Sequence, residues 1–396
     1  MRPLGAGDPL FDNGVDLTVL LIVLGKLLVV FGFLMVGVLF MVWFERKIIS
    51  DMQNRIGPNR AGPFGLLQAL ADGTKLFFKE DLLPNKAERR VFRLAPYVSI
   101  IPAFASFAIV PLGGTVTIAG RETYLQLADP PIGILFLLAM SSVAVYGVML
   151  AGWSSGSKYP LLASVRASAQ MVSYEAALSM AVVAVVLTSG SLSTRDIVDS
   201  QAVWAWNAWQ LGLVPFLIFM IAGTAETNRP PFDLVEAEQE IVGGFHTEYS
   251  SLRFAIFYLA EYMNLITISA IAITLFLGGP AGPAIPLLPD VLTGVVWFLV
   301  KLVAFLFCFI WLRATLPRLR YDQLMNLGWK VLIPLALFWF MLIAALRVGR
   351  DEGWNTWAIF GGALAIGFAS WAMLGAALKR GEMTAAAARR EEEVTV

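Results

Sequence analysis

Apolar residues in this chain arrive in long runs, all but one of them longer than twenty residues, and that recurrence restricts the fold more than any other feature. The runs occupy 15–44, 96–118, 131–152, 167–188, 203–225, 254–278, 291–311, 331–346 and 354–378. A bilayer core about 30 Å thick takes about 20 apolar residues per helix, against about 10 per tilted strand. Backbone crossing it must pair with itself, as helices do. The expectation is therefore an all-α polytopic membrane bundle of nine transmembrane helices, the first long enough to tilt or to project beyond the bilayer. A chain that is 58% hydrophobic and 15% charged agrees, being too apolar for one soluble core.

One long polar segment, 45–93, interrupts the series. Within it Leu66, Leu67, Leu70, Phe77 and Phe78 alternate with Gln68, Asp72, Lys75 and Lys79 at helical spacing, which predicts an amphipathic helix over 64–79 lying in the membrane interface. The chain reads as a single transmembrane domain, 1–380, with polar loops at 45–93, 226–253 and 313–330. A charged, alanine-rich tail at 381–396 is expected to be disordered. Of 29 Lys and Arg, ten lie between the first and second runs, and most of the rest fall in loops on that same side. The positive-inside rule then places the N-terminus outside and the C-terminus in the cytoplasm of a cell that keeps this multi-pass protein in its inner (plasma) membrane.

Several function classes drop out. Asp8 and Asp12 precede the first run and Asp16 stands at its start, with no basic stretch before it, unlike a signal peptide. The single Cys308 rules out an internal disulfide or a cysteine-ligated cluster, and the lone His246 has no partner at metal-ligand spacing, so no metal site is expected. No glycine-rich phosphate loop is present, and nucleic acid is not an expected partner because the basic residues follow membrane topology. No internal repeat is found, unlike many secondary transporters.

The chemistry concentrates in 226–249, ETNRPPFDLVEAEQEIVGGFHTEY, where Glu226, Asp233, Glu236, Glu238, Glu240 and Glu248 face a single Arg229. Acids packed so tightly repel, so a proton taken up at one shifts the affinity of the next. A solvated acidic loop is the competing reading, disfavoured by the RPPFD turn and by acids at every second position. Glu236 and Glu240, four apart, would share a helix face that Glu238 does not. Ionisable residues inside apolar runs cost about 2.5–3.5 kcal/mol on insertion scales, so Glu175, Glu261, Lys301 and Glu226 are candidates for function or for pairing with a neighbouring helix. Tyr174 and Tyr262 stand beside two of these acids as possible hydrogen-bond partners. Lys26 and Glu45 fit span ends or snorkelling side chains.

The segments 45–81 (ERKIISDMQNRIGPNRAGPFGLLQALADGTKLFFKED), 226–249, 260–262 (AEY) and 313–325 (RATLPRLRYDQLM) together resemble one family, the H subunits of proton-pumping NADH:quinone oxidoreductase, the counterparts of subunit 1 of mitochondrial respiratory complex I. The resemblance runs from about residue 15 to residue 346. The ninth run departs from it, since mitochondrial counterparts have eight helices. The family implies that the chain forms the membrane side of a quinone chamber and links it to proton-pumping subunits. By resemblance Glu45 and Arg46 flank the chamber entrance with Arg55 and Lys75 nearby, Asp72 points inward from the amphipathic helix, and Arg229, Phe232, Tyr258 and Arg313 match further chamber positions. Asp233, Glu236, Glu238 and Glu240 match an acidic loop beneath the headgroup site. Glu226, Glu175 and Glu261 match buried acids leading away from it, with Arg166 near the Glu175 helix. Cations there would steady the anionic reduced forms of quinone while apolar walls hold its tail. The resemblance implies quinone as substrate and no cofactor bound by this chain alone, with FMN and iron–sulfur clusters in partner subunits. The implied partners are the iron–sulfur and quinone-site subunits of a peripheral arm, small membrane subunits and antiporter-like subunits.

Two other readings remain open at this point. The membrane subunit of an ion-pumping nickel–iron hydrogenase shares the acidic scaffold, but Arg46, Arg229 and Arg313 favour quinone. A stand-alone proton or cation carrier sits poorly with the missing repeat and the basic loop at 45–93.

Overall fold

A computed structural model describes residues 8–11, 14–201, 203–233, 242–286, 288–353, 361–362 and 365. Helix α1, Leu17–Met52, is 36 residues long. At 1.5 Å per residue it reaches about 54 Å, well beyond the bilayer core, so its polar end carrying Glu45, Arg46 and Lys47 projects past the hydrocarbon. The chain then turns through a short 3₁₀ segment, Pro63–Gly65, into α2, Gln68–Phe78, the amphipathic helix expected from the sequence. Gly65 is required there: its φ is +78°, and a Cβ would lie 2.3 Å from the Pro58 carbonyl oxygen.

Helix α3, Arg89–Phe107, ends earlier than the apolar run at 96–118 predicts. Pro111 and the Gly113–Gly114 pair stop the helix, and the β-branched Thr-Val-Thr-Ile stretch becomes strand β1, Thr115–Ile118. It pairs antiparallel with β2, Arg121–Tyr124, across an Ala119–Gly120 turn whose two residues both have positive φ, the two-residue geometry that suits strand twist. Apolar content alone cannot tell such a hairpin from a continuing helix.

Next come α4, Gly133–Ser154, and α5, Lys158–Ser189. Two short helices follow, α6 at Thr194–Asp199 and α7 at Asn207–Gln210. The run at 203–225 is then only partly helical: α8 starts at Leu213, after Gly212 with φ +73°, and ends at Glu226. Helices α9, Ser251–Phe276, and α10, Asp290–Thr315, complete the buried part. A short α11, Tyr321–Leu327, runs through a π turn at Gly328–Leu332 into α12, Ile333–Asp351. The predicted ninth span, 354–378, and the tail lie outside the described residues.

Among the described residues six helical stretches are long and apolar enough to cross a bilayer: α1, α4, α5, α9, α10 and the continuous Tyr321–Asp351. The chain is thus an all-α polytopic membrane protein, with one small hairpin among the described residues. Its core lies where α3, α4, α5, α8 and α9 meet, and α9 is buried along nearly all of its second half. Small residues allow these helices to approach closely. A Cβ on Gly147 of α4 would meet Ser99 of α3 at 2.1 Å, and one on Gly152 would meet Ser164 of α5 at 2.1 Å. The segment before α9 is held by aromatics, with Tyr249 stacked on Phe92 at 3.9 Å and Phe245 packed edge-on against Phe257. Burial pushes the Tyr249 phenol up to about 12. From Leu337 onward α12 presents apolar side chains such as Met341 and Val348 to its surroundings.

Candidate functional site

Two groups of buried and half-buried carboxylates organise the core. The first is centred on Glu45, near the end of α1 and only 6% exposed. Arg313, in the last turn of α10, pairs with its Oε1. Arg229, in the loop after α8, lies 3.3 Å from its Oε2, and the Tyr262 hydroxyl donates to that same oxygen at 3.0 Å. Because Tyr262 spends its proton on Glu45, its contact with the Tyr258 hydroxyl at 3.2 Å has Tyr258 as the donor. Arg229 also places Nε 2.6 Å from Glu261 and its guanidinium 4.3 Å from the Tyr262 ring centre. Burial opposes the Arg229 charge, but Glu261 and then Tyr262 more than offset it, so the guanidinium is held above its ordinary value. Two arginines facing two carboxylates can remain charged in a low-dielectric setting only because each cation has an anion beside it.

The second group lies between α4, α5 and α8. Adjacent serines of α4 reach two different helices: Ser141 donates to Glu226 at the end of α8, and Ser142 donates to Glu175 of α5. The two carboxylates are close enough to interact electrostatically. Glu226 Oε2 is buried with no hydrogen-bond partner among the described residues. A cleft lined by Glu226, Asn228, His246, Tyr258, Glu261 and Asn264 joins this group to the first.

The loop between the two groups is fastened from several sides. Gln170 of α5 donates to the carbonyls of Ala225 at 2.9 Å and Phe232 at 3.0 Å, and the Leu319 amide donates to the Pro231 carbonyl at 3.0 Å. Asp233 is buried and pairs with Arg318 at 3.2 Å. Phe232 is buried with its ring against Tyr174. The acids Glu236, Glu238 and Glu240 lie outside the described residues.

Of the residues singled out from the sequence, the structure thus brings Glu45, Arg229, Tyr258, Glu261 and Arg313 into one network, and Glu175 and Glu226 into another. Arg46 turns away from Glu45, pairing with Asp72 of α2 at 2.6 Å on the exposed side, where Arg55 and Lys75 are also exposed. Glu45 is therefore neither snorkelling nor a bare span end. Tyr174 is not a partner of Glu175: neighbours on a helix point about 100° apart, and its hydroxyl donates to the Leu324 carbonyl at 2.9 Å. Arg166 sits on α5 itself, over the Tyr321 ring at 5.2 Å. Lys301 caps the end of α9, donating to the carbonyls of Leu277, Gly279 and Ala281. Lys26 pairs with Asp8 at 2.8 Å and donates to Thr123 of the hairpin. Ser141, Ser142, Gln170, Asn264 and Arg318 were not anticipated. Polar residues inside apolar runs were the available signal for the first four.

The NADH dehydrogenase family profile matches residues 25–344. The chain belongs to that family. It is 55% identical over 347 residues to the NADH-quinone oxidoreductase H subunit of Frankia casuarinae, covering 87% of this chain and 76% of that protein. The H subunit of Frankia alni is 54% identical over 84% of this chain and 74% of its own length. That of Streptomyces avermitilis is 49% identical over 90% and 79%. The chain is accordingly a membrane subunit of the NADH-quinone oxidoreductase complex, and the other subunits of that complex are its partners. The hydrogenase and stand-alone carrier readings give way to this one.

Proposed function

We propose that this membrane subunit walls one side of a quinone chamber and couples quinone reduction to proton translocation through its buried acids. The observation that carries the reading is the continuity between the two carboxylate groups: Glu261, ion-paired to Arg229, and Glu226, bonded to Ser141, line one cleft. In this reading Arg46, Arg55, Asp72 and Lys75 lie along the approach, while Glu45, Arg229, Phe232, Tyr258 and Arg313 form the inner wall. Electrons reach quinone from an iron–sulfur cluster of a partner subunit, and FMN resides in the peripheral arm. The chain has no redox activity alone.

What its own residues do follows from their pairing. A change of charge near Arg229 alters how that cation is shared between Glu45 and Glu261, since it touches both. Protons are taken up around Asp233, Glu236, Glu238 and Glu240 and pass by Glu261 and Glu226 to Glu175, toward antiporter-like subunits. The basic loops face the cytoplasm, the N-terminus lies outside, and the protein resides in the inner (plasma) membrane as one transmembrane domain with a cytoplasmic tail.

Glutamine variants of Glu226 and Glu175 test the reading, because the amide can still accept the serine hydrogen bond while the titrating charge is gone. In inverted vesicles, normalised to assembled complex, NADH:quinone turnover and acid-dependent dye quenching should fall together. Wild-type rates in both variants, and in Glu236, Glu238 and Glu240 to glutamine, would remove the proposed relay.

A further inference from the structure

Beyond the cleft a second, smaller cavity of about 20 Å³ lies one turn farther toward the Phe276 end of α9. It is lined by Ser106 of α3, Ser141 of α4, and Asn264, Thr267 and Ile268 of α9, with Glu226 at its edge. Among the described residues only Ala144, Glu226 and Asn264 line both cavities, and only the last two are polar. The stack has a cause in sequence. Tyr258, Glu261, Asn264 and Thr267 recur every third residue along α9, a polar row that winds about halfway round the helix between the cleft and the second cavity. Ser99 and Ser106, seven residues apart on α3, face it across the α3–α9 contact.

The hydroxyls of this seam differ in what they have left to offer. Ser106 donates to the Pro102 carbonyl and Thr267 to that of Met263, so each keeps only acceptor capacity. Ser141 is committed to Glu226. The buried Oε2 of Glu226 and Oγ of Ser99 have no partner among the described residues. A cavity of this size accommodates a single water, provided polar groups are there to hold it. Asn264 is the residue placed between the cavities with both an amide donor and a carbonyl acceptor.

We propose that Asn264 is a positioning residue that holds water at the junction of the two cavities and so sets the rate of proton exchange at Glu226. The ligand is water, and the chemistry is a hydrogen-bonded bridge between the Glu261 cleft and the cavity beside Thr267. The inference rests on the relay reading of Glu226 above, but the two can fail separately.

Asn264→Leu keeps the volume and removes the donor and acceptor, and Asn264→Ser shortens the side chain but keeps a hydroxyl able to hold water. In inverted membranes, with rates normalised to assembled complex, the Leu variant should lose roughly tenfold in turnover at saturating quinone, the effect of one lost positioned hydrogen bond. Its KM for quinone should stay put and its solvent deuterium isotope effect should rise, and Ser should recover most of the rate. Should Leu impair assembly, Asn264→Ala against Asn264→Ser carries the same comparison. Leu or Ala matching wild type while Glu226→Gln is inactive overturns the role of Asn264 alone. Equal losses in Leu, Ala and Ser with an unchanged isotope effect mean packing and overturn it too. A fully active Glu226→Gln overturns the relay and this inference together.

Discussion

Arg229 and Arg313 both pair with Glu45, yet their removal should have very different consequences. Arg229 has a side chain only 7% exposed and is paired to two carboxylates, at 2.6 Å for Glu261 and 3.3 Å for Glu45. Replacing it by leucine leaves Glu45 with Arg313 and Tyr262, but takes from Glu261 its closest cation. Breaking a buried pair from one side costs about 3–5 kcal/mol, because a charge is left uncompensated in a low dielectric. Arg313 is 30% exposed, and its loss leaves Glu45 with Arg229 and Tyr262. Solvent screening then holds the expected cost to roughly 1 kcal/mol. The double variant Arg229→Leu with Glu261→Leu removes both ends of the tightest pair and should recover part of the loss, since apolar replacement of a whole buried pair is often neutral. Thermal inactivation half-lives of the assembled complex in membranes, together with the fraction assembled, would measure the order. Arg313→Leu as damaging as Arg229→Leu, or a double variant no better than the single, would refute the argument from unequal burial.

Two further outcomes are expected. With Cys308 replaced by serine, single cysteines at Asn85 and Asn326 should be shielded from membrane-impermeant thiol reagents in intact cells while one at Asp129 is labelled; labelling at Asn85 from outside would reverse the orientation. Arg46→Ala should raise the apparent KM for quinone without slowing NADH oxidation by a hydrophilic acceptor, because the proposed function puts this exposed cation beside Asp72 on the approach of quinone and away from the NADH site; equal loss of both activities in assembled complex would sink that role.

The long helices were legible because a membrane leaves few alternatives: an apolar run of the length of 291–311 or 254–278 has to be a helix. The runs at 96–118 and 203–225 misled for a local reason. Gly113–Gly114 and Gly212 interrupt the backbone without lowering the hydropathy of the run. The chemistry of the site was legible by type and not by partner. Glu45 and Arg229 are 184 residues apart, and nothing in either neighbourhood reveals that they meet. Tyr174 and Glu175 erred the other way, since closeness in sequence put them on different sides of α5. The serines that hold Glu226 and Glu175 were overlooked because a serine in an apolar run commonly bonds its own helix carbonyl, as Ser173 does with Ala169.

The partners of the buried acids divide them into two kinds, and the division decides what a substitution can reveal. Glu45, Glu261 and Asp233 are held by arginines. Neutralising Glu45 or Glu261 deprives the buried Arg229 of an anion in a dry site, so lost activity would mix structural damage with lost proton chemistry. Glu226 and Glu175 are held by serine hydroxyls. A glutamine there keeps an oxygen to accept the same hydrogen bond and leaves no cation unmatched, so its effect on turnover reports chiefly on the titrating charge. Evidence for proton transfer therefore has to come from the serine-bound pair. The arginine-bound acids are better probed by double variants that remove both members of an ion pair at once.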